Sequence, residues 1–391
     1  MNRIYLDHAA TTPIRPEVIE AMQPFLNQYF GNPSSLHHFG KEALQAINEA
    51  REKVAHILGA RPDEVVFVSG GTESDNLAIF GVAHANRDRG KHIITTQIEH
   101  YAVLEPCRFL EREGWKVTYL PVDRSGMVDP ADIREAITDD TILISVMHAN
   151  NEIGTIQPLK EIGTIAKERN IYFHTDAVQT FSHIPIDVNE LHIDLLSFSG
   201  HKFYGPKGVG GLYVRKGTAI SPYLHGGYQE FKLRAGTENV SGIVGVGKAV
   251  QLAMLEMDAQ TAYIASMRDK LVKSLSEIEG IRLNGHQLHR LPNNINITVD
   301  LVDGEAMVIH LDFKGIAVST GSSCTGATKG PSHVLTAIGL SYEDARSTLR
   351  ITLGKNNRES EIDYFLEVFK DVLNNLRRMS PVYQEKKSGS R

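Results

Sequence analysis

Cysteine is almost absent from this chain: two residues, Cys107 and Cys324, among 391. That excludes a disulfide framework and makes the cytosol the expected compartment. No apolar run approaches the roughly 20 residues of a membrane span. The opening residues, Met1 to His8, reach an aspartate and a histidine too soon for the apolar core of a secretory signal. Basic residues are not in excess: 41 Lys plus Arg stand against 47 Asp plus Glu, a formal charge of −6. Nucleic-acid binding would need a clustered basic face. No repeat at solenoid period and no low-complexity stretch is present.

What remains is an ordinary globular composition, 41% hydrophobic and 23% charged, long enough for two domains. Short β-rich runs at 65–68, 92–95, 117–120, 142–146, 171–174 and 193–198 alternate with helical patterns, one over 72–87 and another through Val103, Cys107 and Leu110. This alternation predicts right-handed βαβ units and an α/β fold around a mainly parallel sheet. Ligands of such sheets bind beyond the carboxyl ends of the strands. From about Thr237 the pattern becomes helical as far as Glu279, followed by a smaller α/β region: strands at 294–299 and 349–353, helices at 305–313 and 361–377. The expected organisation is a large domain over 15–257, a small domain from 1–14 and 258–379, and a polar tail over 380–391.

Two glycine-rich segments are decoys. Gly242-Ile243-Val244-Gly245-Val246-Gly247-Lys248 has the frame of a P-loop, but Ala249 stands where a magnesium-binding hydroxyl is required, and no strand precedes it. A helix packed closely on the sheet is the better reading. Gly205-Pro206-Lys207-Gly208-Val209-Gly210-Gly211 precedes a strand, which is the wrong context for a dinucleotide fingerprint.

The chemistry-bearing residues sit at strand ends. Lys202, in Ser199-Gly200-His201-Lys202, comes after an apolar strand; a lysine partly stripped of water loses its proton more readily and can form a Schiff base. Asp176, in His174-Thr175-Asp176-Ala177-Val178-Gln179, ends the preceding strand. An aspartate there is commonly a helix N-cap, but it can also pair with a pyridinium nitrogen. Strand-end Asp followed by strand-end Lys is the order of the fold-type-I pyridoxal-phosphate enzymes. Ser69-Gly70-Gly71-Thr72-Glu73 reads as a capping box when taken alone, and as a phosphate cradle beside Asp176 and Lys202. His100 closes one strand, and Asn150-Asn151 the next; the first suits a proton relay on a cofactor ring, the second an amide donor or simply an Asn turn. Cys107 has the setting of a buried small hydrophobe. Cys324, between Ser322-Ser323 and Thr325-Gly326, has the setting of an exposed nucleophile on a movable arm.

Together these segments resemble the cysteine desulfurases of the NifS/IscS type. Asp7-His8-Ala9-Ala10-Thr11-Thr12, Gly31-Asn32-Pro33-Ser34-Ser35, Glu99-His100, Arg234-Ala235-Gly236-Thr237 and Ser322-Ser323-Cys324 stand in family order with the motifs above, from Tyr5 to about Gly354. The Arg-x-Gly-His-x-Cys stretch of the SufS-like branch is absent. The resemblance implies a fold-type-I enzyme with a seven-stranded type of sheet, working with pyridoxal 5'-phosphate as a homodimer. By this likeness Lys202 carries the cofactor, Asp176 holds its pyridine nitrogen, Gln179 and Asn151 contact its phenolate side, and His100 stacks on the ring as an acid–base group. Gly71, Thr72, Ser199 and His201 bind its phosphate, joined by Thr237 of the partner subunit, where Glu238-Asn239 departs from some relatives. Arg350 and Asn151 bind the substrate carboxylate, the former through its guanidinium fork. Cys324 takes the sulfur of L-cysteine as a persulfide, leaving alanine, and passes it to an acceptor protein: an iron–sulfur scaffold, a tRNA-thiolating enzyme or a sulfur carrier. No resident metal is implied, only a transient cluster iron on Cys324 with a partner. A selenocysteine lyase or another enzyme of the fold is the nearest rival, and a non-catalytic scaffold for sulfur carriers a rival of another class.

Overall fold

The computed structural model describes residues 3–320 and 330–379. After a short strand β1 (Ile4–Tyr5), the large sheet is built from β2 (Val65–Val68), β3 (His92–Thr96), β4 (Lys116–Leu120), β5 (Thr141–Ser145), β6 (Tyr172–Asp176), β7 (Leu195–Ser199) and β8 (Gly210–Val214), in spatial order β2-β8-β7-β6-β5-β3-β4. Strands β3 to β7 run parallel; β8 is antiparallel to both β2 and β7. The expected mainly parallel sheet of seven strands is present, with this one reversal. Five of its strands, β8 among them, are buried at every position, as strands of a sheet covered on both faces must be.

Side-chain alternation divides that burial between two layers. Val65 and Phe67 join a core with Ile144, Phe173 and Leu196, covered by α3 (His38–Leu58), α7 (Leu159–Glu168) and the start of α8 (Val240–Ser276). Val66 and Val68 face the other way, against α4 (Gly71–Asn86) and α5 (Tyr101–Arg112). The short helices α1 (Pro16–Met22), α2 (Pro24–Asn27) and α6 (Pro130–Ala136) complete this half.

The second core has a three-stranded antiparallel sheet of β9 (Ile281–Asn284), β10 (Asn294–Val299) and β12 (Thr348–Thr352). It is packed with α9 (Gly304–Asp312), α12 (Glu359–Met379) and the two-stranded β1·β11 ribbon, β11 being Ile316–Ala317. Helices α10 (His333–Ala337) and α11 (Tyr342–Arg346) lie between β11 and β12.

Helix α8 is continuous over 37 residues. Among the described residues it alone is long and apolar enough to cross a membrane by length and composition, a feature the sequence reading overlooked. Its apolar positions are committed to packing: Ile243, Val246 and Val250 to the large core, Ile264, Met267, Leu271 and Leu275 to the second. The expected division at 257/258 therefore falls inside one helix. The P-loop look-alike is its first turns. There a Cβ on Gly247 would come within 2.6 Å of Ala50 Cβ, and one on Gly245 within 2.7 Å of Met22 Sδ. The glycines serve close contact with α3 and α1, not with the sheet.

A strap, Leu6 to Thr12, joins the two cores. Leu6 is buried in the second core, its carbonyl accepts from Thr352 N–H at 2.8 Å, and Ala9 N–H donates to Thr352 Oγ1 at 2.9 Å. Thr12 then donates through both N–H and Oγ1 to the His201 carbonyl, each at 2.9 Å.

Candidate active site

The carboxyl ends of β2, β3, β6 and β7 surround a cavity of about 230 Å³ lined by Gly71, Thr72, His100, Asn151, Asp176, Gln179, Ser199, His201 and Lys202, nine of the residues expected from sequence, with Asp75 and Ala9 added. The topology causes the convergence: each parallel strand delivers its last residues to the same edge.

Lys202 lies in a 3₁₀ turn directly after β7. Its Nζ donates to the carbonyls of Ala9 at 2.6 Å and Ala10 at 2.9 Å, so the strap braces the lysine. Gln179 Nε2 donates to the same Ala9 carbonyl at 3.1 Å. His201 Nδ1 pairs with Thr11 Oγ1 at 3.1 Å, and burial, helped by Lys202 and Lys207, pulls the imidazole down to about 4. It is therefore a neutral hydrogen-bonding group at physiological pH.

Asp176 is buried at the end of β6, its Oδ1 accepting from Val178 N–H at 2.8 Å. Burial raises its pKa above the usual carboxylate value, and His100, that N–H and Lys202 offset the rise only in part. His100 is the N-cap of α5: its Nδ1 accepts from Ala102 N–H at 3.1 Å. Burial lowers its pKa, so the neutral ring carries its proton on Nε2. A hydrogen-bond donor is thus available at Nε2.

At the other end of the cavity α4 begins. Its N-cap, Gly70, has φ +155°, and no side chain caps the first N–H groups. Glu73 instead reaches back to the Ser69 N–H at 2.8 Å and holds Arg234 Nε at 2.8 Å. Half of the capping box exists, and the foremost donors of a 16-residue helix still face the cavity. A Cβ at Gly71 would meet Val178 Cγ2 at 2.8 Å, so the backbone approach needs glycine.

Asn150 and Asn151 divide the two readings of their turn. The Asn150 side chain is structural: it accepts from the Glu152 and Ile153 N–H groups and donates to the Ile98 carbonyl. Asn151 lines the cavity.

Two expected residues are not in its lining. Thr237 is exposed, on the loop before α8. Arg350 is buried in β12, its Nη2 donating to Asp7 Oδ1 at 2.9 Å and its Nη1 to the Asn151 carbonyl at 3.1 Å, with no partner for Nε among the described residues. It touches the cavity wall through the backbone of Asn151. Cys324 lies outside the described residues. Cys107 is buried on α5, and burial pushes its thiol far up. Sequence reasoning missed Asp75, which sits inside a helical segment taken only for its first residues, and the Ala9 and Ala10 carbonyls, which carry no side-chain signal.

These residues suit pyridoxal phosphate: a lysine amine, a buried carboxylate and an uncapped helix N-terminus with a glycine cradle share one cavity. The match to known proteins agrees. The class-V aminotransferase model matches residues 4–365, and the chain belongs to that family of pyridoxal-phosphate enzymes. Within it, the chain is 57% identical to the cysteine desulfurase IscS of Dictyoglomus turgidum over 98% of its own length and 97% of that protein. It is 56% identical to the IscS of Methanosarcina thermophila, over 97% and 94%. A solved NifS-like protein superposes with TM-score 0.90 at 41% identity, covering 96% of this chain and all of the other. A structure described as SspA in complex with cysteine gives 0.80 at 42%, over 90% and 99%.

Proposed function

We infer that this chain is a pyridoxal-phosphate-dependent cysteine desulfurase. The observation that carries the reading is the convergence of Lys202, buried Asp176 and the uncapped start of α4 on one cavity. Its likeness to desulfurases over nearly its whole length, and the cysteine named in the SspA complex, support the substrate. When bound, the cofactor supplies an electron sink for a bond broken at the substrate's Cα.

The chain's own residues then have separate tasks. Lys202 would hold the cofactor covalently, and Lys202 or His100 would move the Cα proton. Asp176 holds a proton at the pyridine nitrogen. His100 offers its Nε2–H as an acid or hydrogen-bond donor. The N–H groups of Gly71 and Thr72, with Ser199 and His201, bind the phosphate. Gln179 and Asn151 address the phenolate side. Arg350 binds the substrate carboxylate, which requires a share of its guanidinium to turn from Asp7.

Cys324 accepts the sulfur: a bond forms between its thiolate and the substrate sulfur as the substrate's Cβ–S bond breaks, and alanine leaves after protonation. This assignment rests on sequence alone. A homodimer is supported by exposed Leu26, Phe30, Leu36 and Phe39 and by Thr237, which is exposed and outside its own chain's cavity. The persulfide then passes to an acceptor for iron–sulfur assembly or tRNA thiolation, in the cytoplasm.

Borohydride reduction of the loaded enzyme followed by peptide mapping should place the adduct on Lys202; an adduct on Lys207 or Lys248 overturns the site. Cys324→Ala should keep the cofactor yet release no sulfur from cysteine, and normal turnover by that variant would refute the acceptor assignment.

A further inference from the structure

The cavity holds a second carboxyl with no task in the reaction above. Asp75, on the first turns of α4, lines the cavity and is 1% exposed. Among the described residues its Oδ1 meets no hydrogen-bond partner. His174 Nε2 lies 3.5 Å from that oxygen.

That approach is not an ion pair. His174 lies two residues before Asp176 on β6, and the two share one face of the sheet. Its Nδ1 is taken by Ser145 Oγ at 2.8 Å, and its Nε2 is shared with Ser197 Oγ at 3.1 Å. Burial pulls the ring down to about 3, so it carries no charge to match an ionised Asp75.

The elements packed around Asp75 bring it no cation. β6 brings Asp176 and neutral His174, and the turn from β3 into α5 brings Glu99; β7 offers only the Ser197 hydroxyl. Glu99 is itself buried and pushed up to about 8, although Met147 N–H at 2.9 Å and Thr96 Oγ1 at 2.7 Å donate to it. Lys202 acts on Asp176, whereas the charges that act on Asp75 are those of the carboxyls Asp176 and Glu99. Asp176 also has a backbone donor. Two buried carboxyls that line one cavity and act on each other do not both ionise, and the one with the backbone donor and Lys202 keeps the charge.

We infer that Asp75 is a second carboxyl of the cofactor cavity, a positioning residue that works as a neutral acid and so leaves the cavity's negative charge on Asp176. The inference rests on reading Asp176 and Lys202 as the cofactor site. It adds what fixes the charge of Asp176: a neighbour that holds a proton in place of a competing anion. A single buried carboxylate facing Lys202 is what a protonated pyridine nitrogen requires. A second one would share that proton and blunt the contrast.

The test uses cofactor-free protein near neutral pH, so its outcome is separate from the borohydride mapping that tests the site itself. Infrared difference spectra are taken between the wild type and Asp75→Asn, and between the wild type and Asp176→Asn. The first should show the carbonyl stretch of a protonated acid, the second the paired bands of a carboxylate. The inverse assignment, or a carboxylate signal in both, overturns the inference. Should Asp75→Asn not fold, Asp75→Ser serves as reference in the same difference.

Thermal melts give an independent reading. A buried acid whose pKa is raised by folding costs stability progressively as pH rises above its unfolded value. The melting temperature of Asp75→Asn should therefore gain on the wild type as pH is raised from mildly acidic to mildly alkaline. If Asp75 were instead the anionic partner of a charged His174, removing it would lower the melting temperature throughout, and the inference would fail.

Discussion

Two buried arginines hold distant parts of this molecule through carboxylates, and they differ in how firmly each carboxylate is held. Arg51, on α3, meets both oxygens of Glu230 at 2.7 and 2.8 Å and also donates to the Val65 carbonyl. Its guanidinium lies 4.9 Å from the centroids of both Phe67 and Phe231. Glu230 in turn accepts from Phe67 N–H at 2.7 Å. Arg350 meets a single oxygen of Asp7, a carboxylate that remains partly open to solvent, and one backbone carbonyl. The first is a closed unit that fixes the left-handed stretch Glu230 to Lys232, with φ between 41° and 69°. The second has bonding capacity left, beside the wall of the cavity. Both guanidiniums leave Nε without a partner among the described residues. The contrast lies in the carboxylate, held by both oxygens and away from solvent in the first pair, by one oxygen and partly open in the second, and it is the open pair that can exchange its carboxylate for a ligand.

Substitutions should separate the two. Arg51→Met leaves Glu230 buried without its cation and should cost about 3–5 kcal/mol in chemical denaturation, while folded enzyme keeps its turnover. Loss of turnover with unchanged stability would reverse the comparison. Arg350→Lys replaces a fork by a point charge. It should lower kcat/KM for cysteine about a hundredfold, near 2.7 kcal/mol, mostly through KM, with little change in melting temperature. An unchanged KM would show that Arg350 is as structural as Arg51.

Acidity probes the scaffold under the site. His174 falls to about 3 in the folded chain from 6.5. Its contribution is therefore complete above pH 6.5 and declines as pH falls, by about 2 kcal/mol at pH near 5 from this group alone. His8 and His148, each pulled to about 4 by burial, act in the same direction. Glu99 at about 8 and Glu152 at about 7 act oppositely, costing stability as pH rises from 4.5. Denaturation of the cofactor-free protein should show maximum stability at about pH 6.5; a monotonic rise to pH 8 would contradict these assignments. The smallest effect is expected from Cys107→Ala, about 1 kcal/mol of stability from a trimmed side chain in the α4–α5 layer, with turnover intact. A turnover defect in that variant would mean the wrong cysteine had been set aside.

Much of the site was legible because a parallel sheet gathers strand ends. Short β-rich runs located β2 to β7, and the residues at or just after their ends, His100, Asp176 and Lys202, had to meet. Helix starts were legible through glycine and threonine at Gly71 and Thr72. The features that stayed hidden share a cause: their signals arise only in three dimensions. Asp75 lies in a helix at no special capping position, and its burial is a consequence of α4 lying across β6 and β7. The carbonyls of Ala9 and Ala10 belong to residues whose side chains say nothing about acceptance. Strand β8 was marked only by the glycine run ahead of it, and its antiparallel direction comes from a short connection after β7. The unity of α8 was hidden because its apolar face changes partner midway. Arg350 was expected on the substrate and is found against Asp7, since a strong ion pair forms with whichever carboxylate is within reach.

The strap from Leu6 to Thr12 has a bearing on the order in which this chain becomes complete. Its partners include Gln179, His201, Lys202 and Thr352, separated from it by 170 to 343 residues. These residues leave the ribosome ahead of everything they bind, and loop closure over such lengths brings no reward until the far side exists. The large sheet can assemble while they wait; the lysine receives its brace only after β12 is in place. The earliest-made part of the described chain is thus among the last to be seated, and a nascent chain that stalls before β12 would present Lys202 without its brace.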